Sequence, residues 1–576
     1  MENRTRYRLV VLSVILAICA VAIVAQLVRL QVVDHQKYRD EVDREEKRTE
    51  TVVPARGRIW DRSGNLLADN VARFQVMADV GVDINEAVRE LAPVLNLQSG
   101  EMRAALASAN QQVVLATDLP MATGNVVSNL QVGRVFAVPY WRRAYPERQL
   151  ASHVLGFVNA ERKGYYGVEQ SYDALLAGRQ EVVLASQAAW FEPSPSSQLH
   201  LDGPRPGVDL VLTIDRTYQA LAEAELGRAL AETGAKSGTI IMMDPRTGAI
   251  LAMANAPAFD PNRYTETPAG RFVNPAVSVA YEPGSVFKIL TMAAALQEGR
   301  VTPDTVYNDT ACVEVGGWPI CNWDRKAHGP STMVDLLAHS LNVGAAWLST
   351  HMGGQTFYRY AESFGIGKAT GIDLGGEEKG SLRTPDDLTW HESDLGTNAF
   401  GQGVSVTPIQ MLTAVAAVAN GGVMMRPHLV AQMIDGTEVM SAKAAPIGRP
   451  ISGQTARTLT EMLEKAIQRE LQLQVPGYRI AGKSGTAQIP IPGGYDDPWT
   501  IASFVGWGPV SDPRLIILVK LDRPTSSPYG GQTASPVFVR LASRMFVLMG
   551  VPPDNALASA NGTSPSGGGT SPLGGD

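Results

Sequence analysis

The hydrophobic pattern is most sustained at the start of the chain. Leu9 to Leu27 follow a basic tail, which has arginines at positions 4, 6 and 8, and these 19 residues carry no charge. Such a run is long enough to cross a bilayer core of about 30 Å as a helix. We therefore expect a single-pass transmembrane helix over residues 9–30 in the cytoplasmic membrane. The basic tail of residues 1–8 should lie in the cytoplasm and the rest of the chain outside.

A cleaved signal peptide is the alternative interpretation of this segment, because Ala20-Val21-Ala22 is typical of a small-residue cleavage site. The apolar run is longer than the usual signal core and continues past these alanines. This continuation favours a retained anchor.

After the anchor, short alternating runs and amphipathic periods predict two extracytoplasmic domains. Over residues 31–205, Ser63-Gly64-Asn65 predicts a turn between short strands, and Ile84 to Leu95 predicts an amphipathic helix. The Pro-rich stretch 191–207 marks a linker, which places a second domain over 206–553. In that domain the pattern predicts helices over 216–233 and 536–549 and strands over 238–244, 249–254, 478–489, 501–507 and 515–521. Strands at both ends with helices between them indicate an α+β fold.

Composition narrows the class of protein. With 576 residues, 45% hydrophobic residues and a net charge of −7, the chain is a multidomain globular protein and not a nucleic-acid binder. The Gly-, Ser- and Pro-rich tail over 554–576 should be disordered.

Cys312 and Cys321 flank a Gly-Gly pair, and their spacing leaves a disulfide open. Two cysteines do not make a metal site, and His328 and His339 lack metal-ligand spacing, so we expect no metal and no cofactor.

Candidate chemistry begins at Ser285. Pro283 and Gly284 are poor helix formers and the residues after them are good ones, so Ser285 should lie at a helix N-terminus. Lys288, three positions on, can reach the serine hydroxyl. A desolvated lysine can take a serine proton, and backbone donors at the helix start can stabilise an oxyanion.

Two further motifs turn this weak signal into a strong one. Ser340-Leu341-Asn342 lies in a helical-looking stretch over 333–350, and Lys483-Ser484-Gly485-Thr486 lies in the strand-like stretch over 478–489. S-x-x-K, S-x-N and K-[ST]-G in this order resemble penicillin-binding proteins and serine β-lactamases. The resemblance to the class B penicillin-binding proteins extends to residues 56–64, 207–215, 243–252, 401–408, 504–507 and 530–531.

This resemblance implies a serine peptidoglycan D,D-transpeptidase. Ser285 would attack D-Ala-D-Ala and Lys288 would take its proton, while Ser340, bridging Lys288 and Lys483, would relay a proton to the leaving amine. Asn342 would orient Lys288 and hold the substrate backbone, and Lys483 would keep Lys288 neutral and attract the substrate carboxylate. The substrate-binding residues would be Ser484, Gly485 and Thr486. The backbone N–H groups of Ser285 and Thr486 would form the oxyanion hole.

The resemblance also implies an architecture and partners. It predicts a transpeptidase domain like that of the penicillin-binding proteins and β-lactamases, carried on an elongated α+β pedestal, the dimerisation-like domain. Expected partners are stem peptides, β-lactams as covalent inhibitors, a membrane-embedded SEDS-type glycan polymerase and other divisome or elongasome proteins. The compact pedestal favours septal over elongation synthesis. We expect a salt-bridged hairpin without chemistry at Arg56, Arg58, Asp61 and Arg62.

Other classes of protein fit less well. Gly477 to Ser484 match the P-loop pattern, but glycines and prolines follow where a P-loop needs a helix. No G-x-S-x-G occurs, so a nucleophile-elbow hydrolase is unsupported. A catalytically reduced scaffold or a β-lactam sensor remains the alternative. A sensor, however, needs a cytoplasmic signalling domain, and a secreted β-lactamase would lack the pedestal.

Overall fold

The computed structural model describes residues 2–34, 48–52, 54–179, 181–185, 205–469 and 473–554. It divides into two compact units, one made of residues 1–55 and 178–207 and the other of residues 56–177 and 208–576. Most of the predicted linker and all but the first residue of the predicted disordered tail lie outside the described residues. The boundary near residue 206 stays a prediction.

The smaller unit contains the predicted apolar helix. Glu2–Val28 is α-helical and continues as a π-helical turn, Arg29–Val33. Val10–Val28 has a mean hydropathy of 2.8, and none of it is buried against the protein. In the same unit, strands Arg48–Val52 and Glu181–Ala185 pair antiparallel.

An antiparallel five-stranded sheet, here called the central sheet, organises the larger unit. Its strands, in spatial order, are Ile250–Ala256, Ser237–Met243, Leu515–Asp522, Gly494–Gly508 and Ala481–Ile491. Side chains alternate between two cores: Ile240 and Met242 pack on one face, and Ile241 and Met243 on the other. Burial on both faces explains why these strands are almost continuously apolar in sequence.

Helices cover both faces of the central sheet. Arg216–Thr233 begins as predicted, because the Asp215 side chain accepts from the backbone N–H groups of Thr217 and Tyr218. The closing helix runs over Gly530–Leu548 and not from Pro536 as predicted. At the earlier start, Thr486 Oγ1 accepts from the backbone N–H group of Gly530. Gly530 also packs onto the sheet, where a Cβ would lie 2.2 Å from the Gly485 carbonyl oxygen. The other α-helices of this unit are Ile84–Leu95, Ser99–Ala107, Met121–Asn129, Ser152–Leu155, Gly167–Ser171, Asp173–Leu176, Pro275–Ser278, Lys288–Gln297, Met333–His339, Asn342–Met352, Gly354–Ser363, Glu392–Asn398, Pro408–Ala419 and Gly453–Gln468.

A second, seven-stranded sheet joins the pedestal residues to the rest of this unit. Strand Asp209–Leu212 pairs parallel with Ile59–Trp60 and antiparallel with Val430–Asp435. The predicted hairpin is confirmed, since Ile59–Trp60 pairs antiparallel with Leu66–Ala78 across the turn. The remaining strands of this sheet are Glu438–Ser441, Val113–Leu119 and Val135–Ala144.

Short two-stranded pairs complete the unit. They are Phe157–Val158 with Gly164–Tyr165, Val306–Asp309 with Gly329–Thr332, Cys312–Val315 with Trp318–Cys321, and Met424–Met425 with Pro446–Gly448.

The charged residues of the first hairpin have structural contacts. Arg56 Nε and Arg143 Nε each lie 2.7 Å from the Glu169 carboxylate, and all three side chains are buried. Arg58 Nε lies 3.3 Å from Asp69. Asp61 accepts from the N–H groups of its own turn and from Arg216 N, so it joins the hairpin to the following helix.

Candidate active site

The first motif lies where a short 3-10 turn becomes a helix. Gly284–Phe287 is 3-10 and runs directly into Lys288–Gln297. Gly284 has φ +56°, and a Cβ there would lie 2.6 Å from the Thr486 carbonyl oxygen, so glycine lets the turn press against the third motif. Ser285 is half-buried at this helix start, as predicted.

Lys288 is almost completely buried, with 1% of its surface exposed. Its Nζ donates to the Ser340 carbonyl oxygen at 2.6 Å and to Asn342 Oδ1 at 2.8 Å, and it lies within hydrogen-bond distance of Ser340 Oγ at 3.3 Å. Burial, followed by the nearby charge of Lys483, lowers the pKa of Lys288 well below its usual value. The surroundings thus favour the neutral amine that a general base requires.

These contacts also set the direction of the amine lone pair. A neutral amine has two N–H bonds and one lone pair. The Ser340 carbonyl oxygen and Asn342 Oδ1 can only accept, and they make the two shortest contacts. They therefore hold both N–H bonds, and the lone pair is left for a hydroxyl such as that of Ser285 or Ser340.

The second motif interrupts a helix, which corrects the prediction of one helical stretch over 333–350. Met333–His339 ends at Ser340, which has φ +56°, and Asn342–Met352 begins two residues later. The left-handed conformation of Ser340 breaks the helix. In this break, the Ser340 carbonyl and hydroxyl oxygens and the Asn342 amide all reach Lys288. Leu341 turns away into the core with no exposed surface, as predicted.

The third motif lies on the edge strand of the central sheet, Ala481–Ile491. Lys483 is 5% exposed, and its Nζ donates to the Ser484 carbonyl oxygen at 3.2 Å. A Cβ at Gly485 would lie 2.9 Å from the Pro283 carbonyl oxygen, so this glycine faces the first motif. Thr486 Oγ1 accepts from Gly530 N at 3.1 Å, which ties the strand to the closing helix. A strand at this position is inconsistent with the P-loop interpretation.

All three motifs contribute to one cleft of about 800 Å³. Ser285, Ser340, Asn342, Ser484 and Thr486 line it, whereas the Lys288 and Lys483 side chains are buried beside it. The cleft wall also contains aromatic and polar side chains that the motifs did not reveal: Trp323, His328, His339, Phe400, Gln402, Gln488, Asp497, Trp499, Tyr529 and Gln532.

A disulfide-closed hairpin, Cys312–Val315 with Trp318–Cys321, contacts the second motif. Cys312 and Cys321 are directly opposed and bonded, with their Cα atoms 4.0 Å apart. Just after the hairpin, Trp323 Nε1 donates to the His339 carbonyl oxygen. The rings of Trp323 and Tyr529 pack edge to face, with their centroids 5.7 Å apart. The spacing of the two cysteines left a disulfide open, but it did not predict the contact with the cleft. That contact joins residues 321 and 342, which are far apart in the sequence.

Comparison with known proteins gives the family of this chain. Residues 238–543 match the penicillin binding protein transpeptidase domain, and residues 51–212 match the penicillin-binding protein dimerisation domain. The chain is 34% identical to stage V sporulation protein D of Bacillus subtilis, over 87% of this chain and 79% of that protein. It belongs to the class B penicillin-binding proteins.

Further penicillin-binding proteins are similar over most of their length. Peptidoglycan D,D-transpeptidase FtsI of Escherichia coli is 30% identical, over 91% of this chain and 89% of that protein. Penicillin binding protein 3 from Mycobacterium tuberculosis, solved with aztreonam, superposes with a TM-score of 0.69 at 27% identity, covering 88% of this chain and 98% of that one. Penicillin Binding Protein 2X from Streptococcus thermophilus shares the fold, with a TM-score of 0.74 over 90% of this chain and 82% of that chain, at 23% identity.

These comparisons confirm the predicted family, the transpeptidase fold class and the enzyme class. The chain is a D,D-transpeptidase of the serine acyl-transfer kind, and its apolar N-terminal helix fits a membrane-anchored protein. The scaffold or sensor alternative is not favoured.

Proposed function

We propose that this penicillin-binding protein cross-links peptidoglycan stem peptides during septal wall synthesis, with Ser285 as the nucleophile. One observation carries the assignment of roles. The Lys288 amine is buried, its pKa is lowered, and it sits one helical turn after Ser285 with both N–H bonds directed at acceptors. An amine held in this way can take the serine proton as the serine attacks.

In acylation, Ser285 Oγ bonds to the carbonyl carbon of the penultimate D-Ala, and its proton moves to Lys288. The bond to the terminal D-Ala breaks, and Ser340 passes a proton from Lys288 to the leaving amine. The 3.3 Å contact between Lys288 Nζ and Ser340 Oγ supports this relay. Backbone N–H groups of Ser285 and Thr486 stabilise the oxyanion.

In the second half-reaction, the side-chain amine of a neighbouring stem peptide attacks the acyl-enzyme. Its proton returns through Lys288 to Ser285, and a peptide cross-link replaces the ester.

β-Lactams also form an ester with Ser285, but their leaving group stays attached, so the enzyme remains acylated. The substrate carboxylate lies near Lys483 and the hydroxyl groups of Ser484 and Thr486, and the Gly485 segment runs alongside it.

We further propose a topology with the N-terminus in the cytoplasm. Arg4, Arg6 and Arg8 precede the apolar helix, and such basic flanks stay inside. The domain that carries the cleft then lies outside the cytoplasmic membrane, where stem peptides are exposed. A SEDS-type glycan polymerase in the same membrane is the proposed partner, because newly made glycan strands carry these peptides.

Covalent labelling of the full-length protein in detergent tests the assignment of Ser285. With benzylpenicillin we expect one stable adduct by intact mass, mapped by peptide sequencing to Ser285. Ser285→Ala should abolish the adduct, and Lys288→Ala should slow its formation by several orders of magnitude, because the base is lost.

Ser363→Ala is the matched control, since Ser363 caps an exposed helix end outside the cleft lining. It should label like the unmodified protein. Labelling of a residue other than Ser285 would refute the assignment, and rapid turnover of the adduct would indicate a β-lactamase.

A further inference from the structure

The disulfide-closed hairpin makes a direct bond to the second motif. Asn342 Nδ2 donates to the Cys321 carbonyl oxygen at 3.0 Å. The other end of the same amide, Oδ1, accepts from Lys288 Nζ at 2.8 Å. A chain of two hydrogen bonds therefore runs from the cystine backbone to the buried amine.

The Cys321 carbonyl oxygen determines which end of the Asn342 amide faces Lys288. An asparagine amide has a donor end and an acceptor end of nearly the same shape, so its partners decide its orientation. Because the carbonyl oxygen accepts only from Nδ2, it turns Oδ1 toward Lys288. The reversed amide would direct N–H groups at the lysine amine and compete for its lone pair.

A second link runs through the neighbouring residue, Asn322, which is 2% exposed. Its Oδ1 accepts from Val343 N at 3.1 Å, in the first turn of the helix that carries Asn342. Its Nδ2 donates to Asp309 Oδ1 at 2.8 Å, and Asp309 is itself 1% exposed. Asn322 thereby joins the base of the hairpin to the start of that helix.

The hairpin is short, and the disulfide closes the end of its ladder that lies opposite the turn. Its two strands have four residues each and form a separate two-stranded sheet. A two-stranded pair is marginal in water unless other elements pack on it. Val315 and Ile320 are buried near Gly396, but the outward-facing positions are open to solvent. The covalent bond at Cys321 therefore acts together with the buried Ile320 and Asn322 on either side of it to keep the Cys321 carbonyl oxygen in place.

We propose that Cys321 and Asn322 are positioning residues for acylation, and that the Cys312–Cys321 disulfide, by fixing them, orients Asn342 and Lys288. Full acylating activity thus requires the oxidised hairpin. This proposal rests on the proposed function, since it assumes that Lys288 serves Ser285. Reduction converts the cystine into two thiols while a phosphine reductant becomes its oxide.

The test compares acylation of full-length protein by benzylpenicillin in three forms: the Cys312→Ser/Cys321→Ser variant, Asn322→Ala, and unmodified protein reduced with a phosphine after folding. The rate constant at saturating penicillin is separated from the dissociation constant of the first complex, each across a pH series. Glu314→Gln is the control, because Glu314 is exposed in the middle of the same hairpin.

We expect the saturating rate constant to fall at least fivefold in all three forms, with the dissociation constant within twofold of normal. The acid limb of the rate should also move to lower pH, because the lysine ammonium loses an acceptor that stabilised its charged form. The Glu314→Gln variant should match unmodified protein. The reduced protein serves as the test if the serine variant does not fold.

A fall of less than fivefold in any of the three forms would overturn the proposal. An acid limb that does not move in any of the three forms would also overturn it. So would a loss of penicillin-binding sites at an unchanged rate constant, because that pattern means only that fewer molecules are folded. Failure of the proposed function is distinct, since the unmodified oxidised protein would then form no adduct on Ser285.

Discussion

Gly485 offers a quantitative test of how closely the third motif packs against the first. A Cβ at this position would lie 2.5 Å from Ser503 Oγ and 2.9 Å from the Pro283 carbonyl oxygen. The serine side chain can rotate, but the carbonyl belongs to the turn that carries Ser285. Restoring an ordinary contact of 3.4 Å requires the turn and the strand to separate by about half an ångström.

The expected cost of Gly485→Ala has two parts. Overpacking of this kind destabilises a fold by about 1–3 kcal/mol. A displacement of 1 Å at reacting groups can cost about a hundredfold in rate, so half of that predicts roughly a tenfold slower acylation. Acylation is followed with a fluorescent penicillin under saturating conditions, after circular dichroism has shown that the variant is folded.

Gly494→Ala is the matched control, because Gly494 lies on the neighbouring strand and a Cβ there would meet nothing within 4 Å. It should acylate within about twofold of the unmodified protein. An unchanged rate for Gly485→Ala, or an equal loss in Gly494→Ala, would show that the contact with Pro283 does not position Ser285.

Two further predictions concern titration. Lys483→Gln removes the like charge that lowers the pKa of Lys288, so the acid limb of the acylation rate should move to higher pH. Lys368→Gln, a change at an exposed lysine, should leave the limb in place. An unmoved limb in Lys483→Gln would contradict this electrostatic coupling. Burial of His153 lowers its pKa to about 4 from 6.5, so the unfolded chain binds the proton at a higher pH than the folded protein does. The free energy of unfolding should therefore fall by about 3 kcal/mol as the pH is lowered from 6.5 toward 4. In urea unfolding at both ends of this window, His153→Gln should remove that loss and His339→Gln should retain it, and equal acid sensitivity in both variants would contradict the assignment to His153.

The proposed mechanism gives the two lysines of the site different tasks. Lys288 is buried and directed by carbonyl oxygens, which suits proton transfer. Lys483 is also buried, on the edge strand of the central sheet, and its charge acts on Lys288. Burial and the nearby charge of Lys483 both lower the pKa of Lys288, which favours its neutral form.

Much of this protein could be predicted from local sequence. The apolar anchor, the helix over Arg216–Thr233 and the strands of the central sheet follow from residue periodicity, which depends only on neighbours along the chain. The three motifs and their order identified the family because each encodes its chemistry within four residues. The roles of their residues remain predictions that the labelling experiments test.

Tertiary structure decided what depends on distant contacts. The helix breaks at Ser340, where Ser340 and Asn342 contact Lys288 while Leu341 packs into the core. These contacts are with distant residues, so helix propensity over 333–350 does not predict the break. The Gly485 Cβ position faces Pro283 only once the strand and the turn are packed together. The Cys321 carbonyl oxygen reaches Asn342 across 21 residues, and hydrogen bonds of that kind are set by the folded geometry, not by any pattern along the chain.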